Sequence, residues 1–348
     1  MSDTILKFGK RTIKSSAAPV MRLMNAVSRV VGGASRQAGR AMILCYHRIV
    51  PDIATAERDG IFGLMTSTET FRRHLEIVRE HCEVMTLEEA GNVLKGEKRT
   101  ARPAVVVTFD DGYRDNYDQA LPVLRDLGMP ATVFVSTGLV GAQEPLHHDR
   151  IYWLITRAIK RGFDLREAFE GIGLRSVRVN ELVAVKDPLR ICDQIVYLPF
   201  MVREKLIAKL EAALGADYPP GYEMLTWEMI AEMEASGISF GAHSDQHPVL
   251  TMEDGDTIER EIRRSKRTLE DRLGHAAKHF AYPNGQYNQA IKNLVAKVGF
   301  DLAVTTERRI AEEGDDLHAL ARIGLCEEST RGMSGQYSEA VARMRLLT

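Results

Sequence analysis

Acidic residues are missing from one stretch of this chain: no Asp or Glu occurs between Thr4 and Pro51, while Lys7, Lys10, Arg11, Lys14, Arg22, Arg29, Arg36 and Arg40 all fall there. Apolar residues from Ile5 and Phe8 to Val30 and Val31 are interleaved with them. The basic residues break every apolar run well short of the length a bilayer crossing needs, and no uninterrupted secretory leader is evident. Residues 1–40 therefore read in two ways: as a basic amphipathic leader making peripheral contact with an anionic membrane surface, or as a frayed or packed leader helix.

Cysteine is scarce as well. Cys45, Cys82, Cys192 and Cys326 lie far apart and form no CxxC pair, which argues against a cysteine metal cage or a disulfide framework and favours a reducing compartment. The expectation is a cytoplasmic protein that the basic leader could hold at the inner membrane face. Nor is there a global excess of positive charge: 46 Lys+Arg against 48 Asp+Glu give a net charge of −2, so composition does not suggest nucleic acid as a partner.

What is present is an alternation of strand and helix patterns. Ala41–Cys45, Ala104–Phe109, Ala131–Ser136, Ile238–Ala242, Lys278–Tyr282 and Leu302–Thr305 are short apolar runs of the kind found in parallel strands covered on both sides. Between them stand helix patterns. One opens at Ser67 or Thr68, one at the capping box Thr86 to Glu89, and others span about 116–127, 226–236, the segment ending at Gly274, and 288–298. The 348 residues read as one α/β domain over 41–348, its parallel sheet closed or nearly closed into a barrel with functional groups at the carboxyl ends of the strands. An interruption at about 141–222 has helical segments near 151–159 and 202–214 and few strand candidates, so it reads as a mostly helical insertion. Within it, His147, His148 and Asp149 read as exposed polar neighbours.

Three strand ends carry polar clusters. In Thr108-Phe-Asp110-Asp111-Gly112-Tyr113, adjacent carboxylates cannot both point the same way, so one can ligate a metal while the other faces substrate as a base. In His243-Ser-Asp-Gln-His247 two imidazoles four residues apart can converge on one divalent ion where the backbone turns. Phe280-Ala-Tyr282-Pro283-Asn284-Gly285 is a strand running into a turn that could wall a pocket. Each alone has a plainer reading, as a solvated Asp-Asp-Gly turn, as exposed histidines, or as a simple loop.

In this order and context, TFDDGY, HSDQH and FAYPNG resemble the motif series of the polysaccharide deacetylases, the NodB-like carbohydrate esterases of family 4. The resemblance covers Ala41 to Thr305 and extends to Leu325, with the insertion outside the usual core. It implies a distorted (β/α) barrel of about seven strands and a metal-dependent hydrolase that removes N-acetyl groups from a glycan or a lipid-linked glycan precursor. It implies one divalent ion, zinc in the first place with cobalt or nickel as alternatives, held by Asp111, His243 and His247, with Asp110 as general base. The ion would polarise the acetyl carbonyl beside the attacking water, and Tyr113 or a neighbouring backbone amide would meet the oxyanion. Tyr282, Pro283 and Asn284 would border the substrate.

Two departures from the family pattern matter. The Arg that usually opens the third motif is absent, and Arg322 in Ala321-Arg-Ile-Gly-Leu325 could replace it. The late Leu-x-His motif that usually supplies the general acid is also missing after Ile323, whereas Leu44-Cys-Tyr46-His47 resembles a permuted subgroup, which nominates His47 as the acid. Two alternatives stay open: the same metal site acting on an ester or a non-sugar amide, and a glycan-binding barrel without turnover.

Overall fold

The computed structural model describes residues 39–54, 56, 60–170, 172, 184 and 186–348. The basic leader, apart from its last two residues, lies outside the described residues. No helix among the described residues is long and apolar enough to cross a membrane.

The strands are β1 (Arg40–Tyr46), β2 (Arg48–Val50), β3 (Met65–Ser67), β4 (Glu83–Val84), β5 (Ala104–Phe109), β6 (Ala131–Val135), β7 (Ile238–Ala242), β8 (His279–Ala281), β9 (Leu302–Val304), β10 (Ala311–Glu312) and β11 (Ile323–Gly324). The main sheet is a curled, mostly parallel half-barrel with the order β10-β1-β5-β6-β7-β8-β9, while β2 and β3 pair separately. The apolar runs of β1, β5 and β6 are buried at nearly every position, as expected where helices cover both faces. The segment after β9 spans the open side. Leu320 pairs with Val304, and β11 then runs parallel to β1 at Leu44–Cys45. The edge strand β10 runs antiparallel to β1, pairing Ala311 with Ala41, and departs from the all-parallel pattern that the sequence suggests.

Helices form where caps and apolar stripes agree. α1 (Thr68–His81) starts at Ser67, whose hydroxyl accepts from Thr70 N, and buries Phe71, Leu75 and Val78. α2 (Leu87–Leu94) has the expected Thr86–Glu89 capping box. The third helix pattern begins instead as a wide π-type turn, Asn116–Ala120, before α3 (Leu121–Leu127). Each fully buried aliphatic or aromatic side chain along these faces contributes about 1.5–3 kcal/mol.

The insertion contains α4 (His147–Arg161), α5 (Pro188–Ile195) and α6 (Phe200–Leu214). Ile151, Leu154, Ile155, Leu206, Ile207 and Leu210 form an apolar cluster separate from the barrel core. Its two ends are tied together by Met224 N donating to Ala142 O and Gly141 N to Leu225 O. α7 (Trp227–Glu234), α8 (Gly255–Leu273), α9 (Gln289–Val298) and α10 (Glu339–Leu347) complete the chain.

One core group makes folding sensitive to acid. His74 is fully buried, its Nδ1 3.1 Å from Tyr46 Oη and its Nε2 3.0 Å from Thr330 Oγ1. Burial pulls its imidazole down to about 4. The unfolded chain, titrating near 6.5, then binds more protons than the native state between those values. His74's contribution is therefore complete above about pH 6.5 and is lost as pH falls toward 4. Between pH 7 and pH 5 the wild-type protein should lose about 2 kcal/mol more unfolding free energy than His74→Gln, as read by urea titration. Equal losses would place the acid sensitivity elsewhere.

Candidate active site

Parallel register aligns the carboxyl ends of the strands. Tyr46 lies beside Phe109, Val135 beside Ala242, and Ala242 beside Phe280, so His47, Asp110 and His243 each step off the sheet at the same rim. The backbone then turns sharply: Asp111 (φ 77°), Ser244 (φ 62°) and His247 (φ 56°) adopt the left-handed conformation that non-glycine residues seldom take. Such strain persists only where surrounding contacts over-determine it, and it gathers at functional sites. Gly112 (φ 83°) has no such penalty, and a Cβ there would come within 2.8 Å of Val135 Cγ1.

The 243–247 loop is held from below. The buried carboxylate of Glu261, on α8, accepts from Asp245 N (2.9 Å) and Gln246 N (2.8 Å). Thr137 Oγ1 donates to Asp245 Oδ1, and His247 N donates to Ser244 Oγ. Glu261 was not legible as a site residue, because its only sequence trait is a polar side chain on an otherwise apolar helix face.

Asp111, His243 and His247 converge. Asp111 Oδ1 lies 3.4 Å from His243 Nε2 and 3.2 Å from His247 Nε2, and the two Nε2 atoms are 3.2 Å apart. His243 Nδ1 pairs with Ala281 O at 2.8 Å. A carbonyl can only accept, so that nitrogen carries the proton and Nε2 is left as a bare donor atom toward the centre. Asp111 Oδ2 is buried and has no hydrogen-bond partner among the described residues. Two imidazole nitrogens and an orphaned carboxylate oxygen in one buried place form a donor set that fits a divalent cation. Burial lowers His247 to about 4, whereas at His243 the carboxylates of Asp110 and Asp111 outweigh burial and raise it.

A second group, Cys45 Sγ, a His47 ring nitrogen and an Asp110 oxygen, also lies within 4.8 Å, but its charge is already balanced. Arg322 grips Asp110 through Nη1–Oδ1 (2.7 Å) and Nη2–Oδ2 (2.5 Å), both residues being buried. Arg322 Nε donates to Thr305 O and Nη1 also to Thr108 Oγ1. Burial pushes the Cys45 thiol up, so it offers no thiolate. Burial would likewise raise Asp110, but the guanidinium outweighs it and holds the carboxyl at about 2, ionised at neutral pH. Arg322 reaches it because β11 lies beside β1, which lies beside β5.

His47 is half-buried. Its carbonyl accepts from Asn116 Nδ2, while its ring makes no hydrogen bond among the described residues. Burial lowers its imidazole, partly offset by Asp111 and Asp110.

Tyr113 lies at the same rim. Its backbone N donates to no acceptor among the described residues, and its hydroxyl donates to Asp149 Oδ2 at 2.6 Å while lying 2.9 Å from His148 Nε2. His148 and Asp149, read from sequence as exposed, are thus drawn into the site. Asp149 is buried and His148 nearly so. The third motif needs the opposite correction: Tyr282 is fully buried, its hydroxyl donates to His318 O and its ring stacks on Tyr287 at 4.9 Å. It serves the core and cannot border a substrate. What its strand contributes is the Ala281 carbonyl. Pro283 is buried and Asn284 (φ 55°) forms the turn that follows.

A family model described as polysaccharide deacetylase matches residues 97–303. Protein YxkH of Bacillus subtilis (strain 168), whose name describes a polysaccharide deacetylase, is 22% identical over 280 residues, 80% of this chain and 72% of its own. Among solved structures, the deacetylase PplD of Streptococcus pyogenes in complex with acetate aligns at TM-score 0.55 and 22% identity, covering 82% of this chain and 92% of that one. IcaB of Ammonifex degensii aligns at TM-score 0.55 and 22% identity, covering 84% and 94%. At these identities the structural likenesses show the fold.

Proposed function

The chain belongs to the polysaccharide deacetylase family, and from that premise we propose that this carbohydrate deacetylase hydrolyses the N-acetyl group of an acetamido sugar within a glycan or a lipid-linked glycan precursor, with zinc as its metal and cobalt or nickel as substitutes. One observation carries the reading. The Arg322-paired carboxylate of Asp110 and the ring of His47, which has no hydrogen bond among the described residues, flank the Asp111–His243–His247 triad at one strand rim.

Asp111, His243 and His247 would hold the ion, which supplies Lewis acidity toward the acetyl carbonyl when bound. Asp110, oriented by two hydrogen bonds from Arg322, takes the proton of the attacking water. Tyr113 N, which has no acceptor among the described residues, donates to the oxygen that gains charge in the tetrahedral state. His47, within 4.8 Å of an Asp110 oxygen, delivers a proton to the amine nitrogen as the C–N bond breaks. The products are acetate and a free amino sugar.

The test is acetate release from N-acetylglucosamine oligomers and lipid-linked acetamido sugars by protein stripped with a chelator and then reloaded with zinc, cobalt or nickel. Stripping should cut release at least 100-fold, and one equivalent of metal per chain should restore it. Full activity in the stripped protein would remove the metal from the reading. Release from esters alone would shift the substrate to an O-acetyl group.

A further inference from the structure

The helical insertion meets the strand rim at one place. Leu225 N donates to Gly112 O (2.9 Å), Arg114 N donates to Glu223 O (2.9 Å), and Tyr113 pairs with Met224, so the closing end of the insertion is stitched to the first motif. α4 begins at the other end, with His148 and Asp149 in its first turn.

The hydrogen bonds there define which atoms are left open. The Tyr113 hydroxyl has one proton, and its 2.6 Å contact with the acceptor-only carboxylate of Asp149 uses it. At 2.9 Å from the same oxygen, His148 Nε2 must then be the donor. Asp149 Oδ2, 3.6 Å from Nε2, favours that tautomer as well. With its proton on Nε2, the imidazole keeps a bare lone pair on Nδ1, and no group among the described residues takes it. Beneath it, Arg48 stacks over the rings of Tyr113 (4.9 Å) and Tyr222 (4.2 Å) and pairs with Asp115 at 2.9 Å. The His148 ring stands 5.6 Å, centroid to centroid, from that of His247, and its side chain keeps 17% exposure where Asp149 keeps 3% and His247 6%. It is therefore the solvent-facing edge of the triad's surroundings.

We propose that His148 is a sugar-recognition residue supplied by the insertion, offering Nδ1 as a hydrogen-bond acceptor to a hydroxyl of the same sugar whose acetamide meets the triad. This rests on the deacetylase reading and adds to it a specificity element outside the barrel. The insertion thereby selects among acetamido sugars by where a hydroxyl falls relative to the reacting amide, a discrimination that a site built to hydrogen-bond a substrate hydroxyl performs well.

Two amide substitutions separate recognition from support. His148→Asn places its amide near the position of Nδ1, and His148→Gln places its amide near that of Nε2. With metal-loaded full-length protein and a panel of N-acetylglucosamine and N-acetylgalactosamine oligomers, His148→Ala and His148→Gln should each lower kcat/KM about tenfold, mainly through KM. His148→Asn should recover most of that loss. In Asp110→Asn protein the same substitutions should weaken oligomer affinity in the same order, with metal per chain unchanged. Recovery by Gln but not Asn would make His148 a prop for Tyr113, and an unchanged KM in His148→Ala would remove it from substrate binding. Either result overturns the assignment while leaving the deacetylase reading standing. Failure of wild-type protein to turn over or bind any acetamido sugar would remove both.

Discussion

Asp110→Asn should lower acetate release by about 10²–10⁴-fold, the range a positioned general base contributes, while leaving metal content at one per chain. The two expectations belong together because adjacent residues have different work. Asp111 turns away through its left-handed backbone and faces the two histidines, whereas Asp110 faces Arg322. Asparagine keeps the shape and one acceptor oxygen. It cannot take a proton from water, and its amide nitrogen cannot accept the second Arg322 hydrogen bond. A buried guanidinium that loses its counter-charge also destabilises the fold, by about 3–5 kcal/mol where a buried pair is broken from one side. Activity has therefore to be read beside circular dichroism and metal analysis, below the melting temperature of the variant. A folded, metal-loaded Asp110→Asn protein with activity within tenfold of wild type would exclude Asp110 as the base, and the carboxylate would then serve only to neutralise Arg322.

Much of this site could be read in the chain because the parallel strands are short apolar runs ending in polar clusters, and a parallel register delivers such clusters to one rim. Asp110, Asp111, His243 and His247 stand in such clusters, and it was the resemblance of the three clusters in order to the family's motif series that singled them out. Direction is harder. Tyr282 ends a strand too, but a strand end does not say which way a side chain points, and this one turns into the core toward His318 and Tyr287. His148 and Asp149 failed for the opposite reason, since polar residues opening a helix look solvated. The available hint was Tyr113, a phenol whose hydroxyl needs a partner once buried, yet nothing in the sequence says that the partner lies 36 residues further on. β10 is two residues long, too short for any periodicity to register, whereas a last strand end at Ala321–Leu325, where β11 lies, could be read. The matched family span, 97–303, includes neither His47 nor Arg322; His47 is placed by the end of β1, and Arg322 by β11 pairing beside it.

Arg322→Met should destabilise the protein by about 3–5 kcal/mol and abolish most activity, although Arg322 touches no reacting atom. The side chain is 0% exposed and makes four hydrogen bonds, two to Asp110, one to Thr108 and one to Thr305. Methionine fills much of the same volume and offers none of them. Asp110 then remains as a buried charge with no cation, free to rotate away from the water that the proposed mechanism has it deprotonate. A double-mutant cycle isolates this coupling. If the cost of Arg322→Met is mainly the stranded carboxylate, Asp110→Ala in the same chain should regain stability while restoring no activity, giving an interaction energy in the range of about 0.5–3 kcal/mol that contacting pairs show. Arg322→Lys keeps the charge as a single point and loses the two-pronged grip, so it should fold better than Arg322→Met and still fall well below wild type in kcat. Strictly additive losses in the cycle would show that Arg322 holds β11 against the sheet through Thr305 and Thr108, and that the orientation of Asp110 comes from the Phe109–Gly112 turn alone.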